Sequence, residues 1–508
     1  MGDLCGYVIS APSSLERASM KREHSMVYTS LSVGLVVLLK STTVLAQTYD
    51  GKGSPEFIPH TLQEALSTAY LTNPTLQQER AKLRAADEQV PTALAGWRPK
   101  IAGQAALTYY QGVNAYGAQG AEPGSSFGTP AYNRSYATPG YTGGVTITQN
   151  LYQGGKTTAQ THQAVNTVMA ERAQLIDTEQ QVFTDVVSAY LGVVRGEQIL
   201  QININNEHVL EEQLKATQDR FEQGEITRTD VAQAQAALAS AKASRQQGEG
   251  TLRAAQATYL QVVGVPPAPN LVAPQPLSLP VKAERDAVSE ATRNNPTIIN
   301  ALFTEASQKD NFSVQLAEIL PKISAQLGYS YVKNQGYGRM VTDNKYGSIN
   351  FDVPIYQGGM EYAAVRQARQ QYLAARRAVD IARRASAQSA SANWQQLQSY
   401  KDSISSNRTA IAANVIALDG VERQAIVGTS STLEVLQQQQ TLLQAQTALV
   451  QNLSGLVQSS YAVAAAMGRL TAADLKLDVP LYDEKAYYKA VKDRLWGIND
   501  YAVSQPGR

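Results

Sequence analysis

Leu151-Tyr152-Gln153-Gly154-Gly155 in the first half of the chain returns as Ile355-Tyr356-Gln357-Gly358-Gly359 in the second. From Tyr152 to Tyr356 the displacement is 204 residues, and the same displacement carries Gly224 onto Gly428, Asp230 onto Glu434, Gln233 onto Gln437 and Val263-Gly264 onto Met467-Gly468. Upstream, Asn73-Pro74 returns as Asn295-Pro296 and Pro99-Lys100-Ile101 as Pro321-Lys322-Ile323, displaced by 222. The first copy therefore holds 18 extra residues (222 − 204) between Pro99 and Tyr152, in a stretch from Gly112 to Gly140 rich in Gly, Tyr, Ser and Pro. Insertions of that composition are expected in an exposed loop. Self-similarity on this scale is the mark of one architecture written twice.

Each copy reads as helix, hairpin, long helix, helix. Thr61-Leu62-Gln63-Glu64 is a capping-box pattern that opens the first helix. That helix runs toward Trp97 and must be kinked or interrupted at Pro74 and Pro91. After the hairpin, no proline occurs from Gly140 to Val265, nor in the twin from Ile355 to Val479. A structureless loop of that length is improbable in a compact domain, so long helices are predicted. From Gly155 to Gln223 such a helix spans about 100 Å. Gly224 breaks it, and a second helix returns from about Thr229 to Val263; Gly428 breaks the twin. A helical hairpin that turns in a few residues needs a positive φ, which Gly adopts without strain. The expected organisation is 1–46 as a signal peptide, 47–264 as the first repeat with its β-hairpin at about 100–152 and helical hairpin at 153–264, and 265–282 as a Pro-rich linker. The second repeat, 283–468, places its β-hairpin at about 322–356 and helical hairpin at 357–468, and 469–508 forms a tail.

The hairpin strands alternate. From Ile323 to Tyr331 every odd position is apolar or aromatic and every even one polar or Gly. Ile349, Phe351, Val353 and Ile355 share one face, and the stretch Thr142–Leu151 repeats the theme. Strict alternation puts one face in an apolar medium and the other in water. Segments of about ten residues fit a tilted outer-membrane strand. Tyr109, Tyr141, Tyr329, Tyr331 and Tyr346 are candidates for the lipid interface. A water-soluble β-domain would alternate too. One chain offers only four such strands, whereas bacterial barrels need at least about eight, and hydrocarbon does not tolerate open sheet edges. Several chains must share one barrel, and three would supply twelve strands and a lumen.

Composition excludes other classes. The net charge of +1 offers no basic face for nucleic acid. His24, His60, His162 and His208 show no metal-ligand spacing. Gly154-Gly155-Lys156-Thr157 imitates the end of a phosphate-binding loop, but position 150 is Asn where that loop needs Gly, and the twin lacks the Lys. No catalytic constellation and no cofactor motif is present. Lys21-Arg22, the 13-residue apolar run Val27–Leu39 and Val44-Leu45-Ala46 read as a secretory signal cleaved after Ala46, with Met20 as the expected start. Cleavage would remove Cys5, the single cysteine.

This order of elements resembles the TolC family of outer-membrane efflux proteins. The resemblance rests on Leu62-x-x-Ala65-Leu66 … Asn73-Pro74, both Tyr-Gln-Gly-Gly turns, and two tip motifs. The tips are Arg220-Phe221-Glu222-Gln223-Gly224 … Thr229-Asp230-Val231 and Val427-Gly428-Thr429 … Leu433-Glu434-Val435-Leu436. The tail, Leu481-Tyr482-Asp483 … Tyr488 … Val491-Lys492-Asp493 … Trp496, looks like the branch associated with type I secretion. The resemblance implies a mostly α fold with a β-barrel part: a homotrimer, four strands per chain in a twelve-strand barrel in outer-membrane lipid, on a twelve-helix periplasmic tube. It also implies a periplasmic adaptor and an inner-membrane pump of the RND or ABC type, and a duct that does no covalent chemistry. The family's periplasmic gate maps onto Thr229 and Asp230 on the first tip and Ala425, Ser430, Glu434 and Gln437 on the second. Three copies of Glu434 on a narrow axis would make a cation-attracting ring. The family's second acidic ring is Gln437 here, and its Tyr and Arg link donors are Ala425 and Ser430, leaving Arg228, Arg423 or Gln424 as substitutes. A plain helix cap equally explains Thr229 and Asp230. Gly224, Gly428 and Thr429 mark the tip turns where an adaptor would touch. The competing reading is a periplasmic coiled-coil scaffold or adhesin without a channel, which leaves the four alternating strands unexplained.

Overall fold

A computed structural model of the chain describes residues 58–116, 132–334 and 340–498. The chain divides into Met1–Glu56 and Phe57–Arg508. The expected signal segment, with Cys5 and Met20, lies outside the described residues, and everything below concerns the second unit.

In that unit α1 (Leu62–Thr72), α2 (Pro74–Asp87), α3 (Gln89–Leu94) and a single 3-10 turn (Ala95–Trp97) lead into β1 (Lys100–Tyr116) and β2 (Tyr132–Gln153). Then come α4 (Lys156–Glu222) and α5 (Arg228–Val263). The second copy runs α6 (Glu284–Asn294), α7 (Pro296–Glu318), β3 (Lys322–Lys333), β4 (Val341–Asp352), α8 (Met360–Ile426) and α9 (Thr432–Ala466), followed by α10 (Ala486–Val491). Helices α4 and α8 are each 67 residues, about 100 Å of unbroken helix.

The prolines act as the sequence predicts, and the residue before each explains the motif. Asn73 ends α1 and caps α2: its Oδ1 accepts from Thr75 N at 2.9 Å, and its Nδ2 donates 2.9 Å to the carbonyl of Val262 in the last turn of α5. Asn295 repeats both bonds, from Thr297 N at 2.9 Å and to Ala466 O at 3.0 Å. One side chain thus starts a helix and ties it to the helix returning from the tip. Pro follows at the first helical position, where no N–H is missed.

Around α4 lies the main core: Leu62, Leu66, Phe183, Val186, Tyr190, Tyr259, Val263 and Leu470 are all nearly or fully buried. Tyr190 shares its hydroxyl between the carbonyls of His60 and Val272, 2.8 Å from each, and so clamps the linker after α5. The C-terminal segment is strapped to α2 and α4. The Arg80 guanidinium lies 4.7 Å over Tyr70 and 5.2 Å over Tyr482, Arg172 lies 5.5 Å over Tyr488, and Tyr487 donates to Glu88 at 2.9 Å.

Laterally, α4 packs against α2 and α7 near the sheet and against α5 and α9 farther down, while α8 packs against α6, α7 and α9. Along the wall near the sheet the order is therefore α2, α4, α7, α8, with α2 and α8 at the two ends.

The sheet order is β1-β2-β3-β4, antiparallel throughout, so β2 and β3 join the two copies. A bulge at Leu151 interrupts the β2–β3 register between Asn150 and Tyr152. Register aligns Ile101, Ile147 and Leu327 on one face, and Lys100, Thr148, Gln326 and Ser348 in the next row on the other. One face is therefore apolar and the other polar. The apolar face is open: Ile101 is 70 %, Leu327 60 % and Phe351 72 % exposed.

Three expectations are corrected. Tyr346 pairs with Gly328 and lies on the polar face, not with the interfacial tyrosines; its ring covers Gly328, where a Cβ would collide. Gly112–Tyr116 and Tyr132–Gly140, expected as loop, continue the β1–β2 ladder beyond the end of β3. The remaining insert, 117–131, lies outside the described residues. Strand β4 ends at Asp352, so Val353 and Ile355 are not in it. Pro354 cannot donate a ladder hydrogen bond, which accounts for the stop.

Candidate functional site

The two helical hairpins turn by the same device. Gly224 sits at φ +78 and Gly428 at φ +81. Behind Gly224 the chain folds back so that Glu225 N donates 3.0 Å to Arg220 O, and Arg220 Nε meets Glu225 Oε2 at 3.1 Å. Behind Gly428, Thr429 donates to Gln424 O twice, from N at 2.9 Å and from Oγ1 at 3.1 Å.

Both returning helices open with a capping box. Thr227 caps α5, and the Asp230 carboxylate accepts from Thr227 N at 3.0 Å and Thr227 Oγ1 at 2.6 Å. Ser431 caps α9; Glu434 N donates 3.3 Å to Ser431 Oγ, and the Glu434 carboxylate accepts from Ser431 N at 3.2 Å and from the Ser430 hydroxyl. These donors stabilise the ionised carboxylates. The Thr227 hydroxyl, then its N–H, holds Asp230 below the usual carboxylate range, with the Thr432 hydroxyl of the other tip contributing. The Ser430 hydroxyl, then Ser431 N–H, does the same for Glu434. Both side chains carry full negative charge at neutral pH.

Of the residues singled out from sequence, Asp230, Glu434, Gly224, Gly428 and Thr429 are built into the turns. Thr229 is not a cap: it is the second residue of α5 and exposed, and Thr227 holds the cap two residues earlier. Gln437 is exposed one turn beyond Glu434. Ser430 serves Glu434. Arg423 pairs with Asp419 at 3.0 Å along α8. The spacing Thr227-x-x-Asp230 and Ser431-x-x-Glu434 was the available signal for the true caps. Sequence reasoning also missed Thr432, the first residue of α9, which is buried at the tip. Ile426 and Val427, at the very tip, are 77 % and 72 % exposed.

Away from the tips, Glu179 on α4 is half-buried and accepts from Ala472 N at 2.6 Å, holding the start of the C-terminal segment. Burial raises its carboxyl to about 7 against that hydrogen bond and the Arg80 charge. The phosphate-loop imitation is a helix start: Gly155 is the left-handed cap of α4, and Lys156 pairs with Glu318. Among the described residues no group of His, Cys, Asp and Glu could hold a metal ion, and no helix is long and apolar enough to cross a membrane.

The sequence matches the outer membrane efflux protein family over residues 65–265 and 287–469. It is 33 % identical over 468 residues to the outer membrane efflux protein BepC of Brucella suis biovar 1, covering 92 % of this chain and 96 % of that one. To the outer membrane protein TolC of Escherichia coli it is 23 % identical over 436 residues, covering 82 % and 83 %. Among solved structures, VceC of Vibrio cholerae superposes with a TM-score of 0.66 at 17 % identity, covering 80 % of this chain and 96 % of that one. The CmeC channel of Campylobacter jejuni gives 0.68 at 14 % identity, covering 85 % and 89 %. A helical wall, a two-faced sheet and this match over most of both repeats lead to one conclusion: the chain belongs to the outer membrane efflux protein family, as an outer-membrane channel with a periplasmic helical part and not an enzyme.

Proposed function

We propose that three copies of this chain close into the exit duct of a tripartite efflux or type I secretion system, gated at the helix tips and energised by an inner-membrane RND or ABC pump through a periplasmic adaptor. The observation that carries the reading is a four-stranded sheet with one apolar face, one polar face and two unpaired edges, β1 and β4. Hydrocarbon tolerates such edges only when another chain pairs them.

The duplication names the lateral contacts. Helix α4 meets α7 of the other copy through Asn166 Nδ2 to Asp310 Oδ2 at 2.7 Å, Thr167 to Ser307 at 3.1 Å, and Ala170 O to Asn300 Nδ2 at 2.9 Å. Moved by the repeat displacements, these become Gln370 to Glu88, Gln371 to Ala85, and Ala374 to Gln78. Those positions lie on α8 and around α2, the two ends of the wall. A second copy would seat its α2 on this α8 as α7 sits on α4. At the tips, Glu434 would form the acidic ring, with Asp230, Thr229 and Gln437 beside it. The exposed Ile426, Val427 and Gly428–Thr429 turn would offer the adaptor an apolar knob.

The test is a double variant, Ala85→Cys with Gln371→Cys, in the mature chain. Oxidation is expected to link three copies covalently, while either single variant stays monomeric on a denaturing gel. No cross-link in a membrane-inserted protein would reject this arrangement.

A further inference from the structure

Six arginines of α8, Arg366, Arg369, Arg376, Arg377, Arg383 and Arg384, are exposed within 19 residues of a chain whose net charge is only +1. Arg377 meets Asp380 at 3.3 Å; the other five make no hydrogen bond or ion pair among the described residues. At about 100° per residue they fall within one sector about 120° wide. Ala368, Val379 and Ser386 occupy the buried sector. Gln370, Gln371 and Ala374 occupy the sector that the duplication reserves for a second copy.

The direction of the arginine sector follows from α4. Its α2 face (Ala164, Val168, Leu175) and its α7 face (Asn166, Thr167, Ala170) are about 130° apart the short way round. In the wall of a closed tube, the two neighbours of a helix subtend less than half a turn on the lumen side. The wide arc of α4 is therefore its outer side. The twins of Arg376 and Arg383 are Arg172 and Glu179, which lie beside that arc and beneath the C-terminal segment, at Tyr488 and Ala472. The arginines of α8 face the same outer side and are exposed, with no such cover among the described residues. They begin about 9 Å and end about 36 Å along the helix from Met360, near the sheet, so most lie beyond the reach of lipid headgroups.

We propose that this arginine sector binds the carboxylates of cell-wall peptidoglycan on the outside of the periplasmic tube; the inference rests on the trimeric reading above. Guanidinium forks take carboxylates bidentately and keep their charge at any periplasmic pH. A column parallel to the tube axis presents the arginines in succession to a layer that the tube has to cross. Three copies would place three such columns around the tube.

The test is co-sedimentation of the purified trimer in detergent with isolated peptidoglycan sacculi, for wild type and for the combined Arg376→Gln, Arg377→Gln, Arg383→Gln, Arg384→Gln variant. Wild type is expected to pellet at about 50 mM salt and to be released at about 500 mM. The variant should bind at least about tenfold more weakly, and sacculi with amidated carboxylates should not bind wild type. The Ala85–Gln371 cysteine cross-link, repeated in the variant, must remain; its absence from the wild-type background would reject the tube itself. With the cross-link intact, equal binding by variant and wild type would overturn the proposal. So would wild type that ignores sacculi, or that floats with phosphatidylglycerol vesicles instead.

Discussion

Gly428 and Gly468 have almost the same backbone, φ +81 and φ +76, yet replacing them should have different consequences. A Cβ on Gly428 would meet nothing within 4 Å, so Gly428→Val costs only the left-handed strain of an L-residue, about 1–2 kcal/mol. That shifts the closed-turn equilibrium by a factor of about 5 to 30 at the tip alone. A Cβ on Gly468 would sit 2.5 Å from Asn294 O and 3.0 Å from its carbonyl carbon. Those atoms are backbone at the α6–α7 junction, which Asn295 anchors to α9, and buried Met467 and Leu470 lie on either side. The clash adds to the strain and has no flexible side chain to relieve it. Gly428→Val is therefore expected to reach the outer membrane as heat-resistant trimers, with faster amide exchange over residues 424–431 and reduced pump-coupled efflux. Gly428→Asn should restore much of the loss, because Asn tolerates the left-handed region. Gly468→Val should yield little trimer. Full efflux by an inserted Gly428→Val would refute the coupling argument, and normal assembly of Gly468→Val would refute the packing argument.

In planar bilayers, Glu434→Gln keeps a hydrogen-bonding oxygen at the cap but removes the charge; cation selectivity should fall while trimers persist, and Glu434→Ala should lose both selectivity and tip order. The lowered carboxyl of Glu434 means that wild-type selectivity should survive acidification to about the ordinary carboxylate range; loss already near neutral pH would contradict the ring. Glu179 has its folded-state pKa raised from 4.5 to about 7, so the folded chain holds a proton that the unfolded chain has released. Its contribution to stability therefore falls as pH rises between those values and is level above them. The Tm of Glu179→Gln relative to wild type should rise from pH 5 to pH 8, as read by thermal melts, and a constant difference would count against the burial argument.

The sequence by itself determined the duplication, the type of each element and the breaks between them. Those signals are local: Gly224 and Gly428 relieve a positive φ, Pro74 and Pro296 open helices, and the two-residue period of Ile323–Tyr331 declares a two-faced strand. The capping boxes were equally local: the spacing Thr227-x-x-Asp230 marks the cap, whereas a reading fixed on Thr229 rests only on its adjacency to the same Asp230. Tyr346 was legible too: it is three residues from Ile349, so the two-residue period puts it on the opposite, polar face, where it pairs with Gly328. Tertiary structure alone showed that Gly112–Tyr116 and Tyr132–Gly140 continue a ladder, because Gly and Tyr suit strand and loop alike until a partner strand is present. The arginines of α8 are periodic in the sequence, but a period gives a helix one face without saying what that face meets. The packing of α2 and α7 on α4 separates the outside of the wall from the lumen, because direction within a wall is a property of neighbours and no residue encodes it alone.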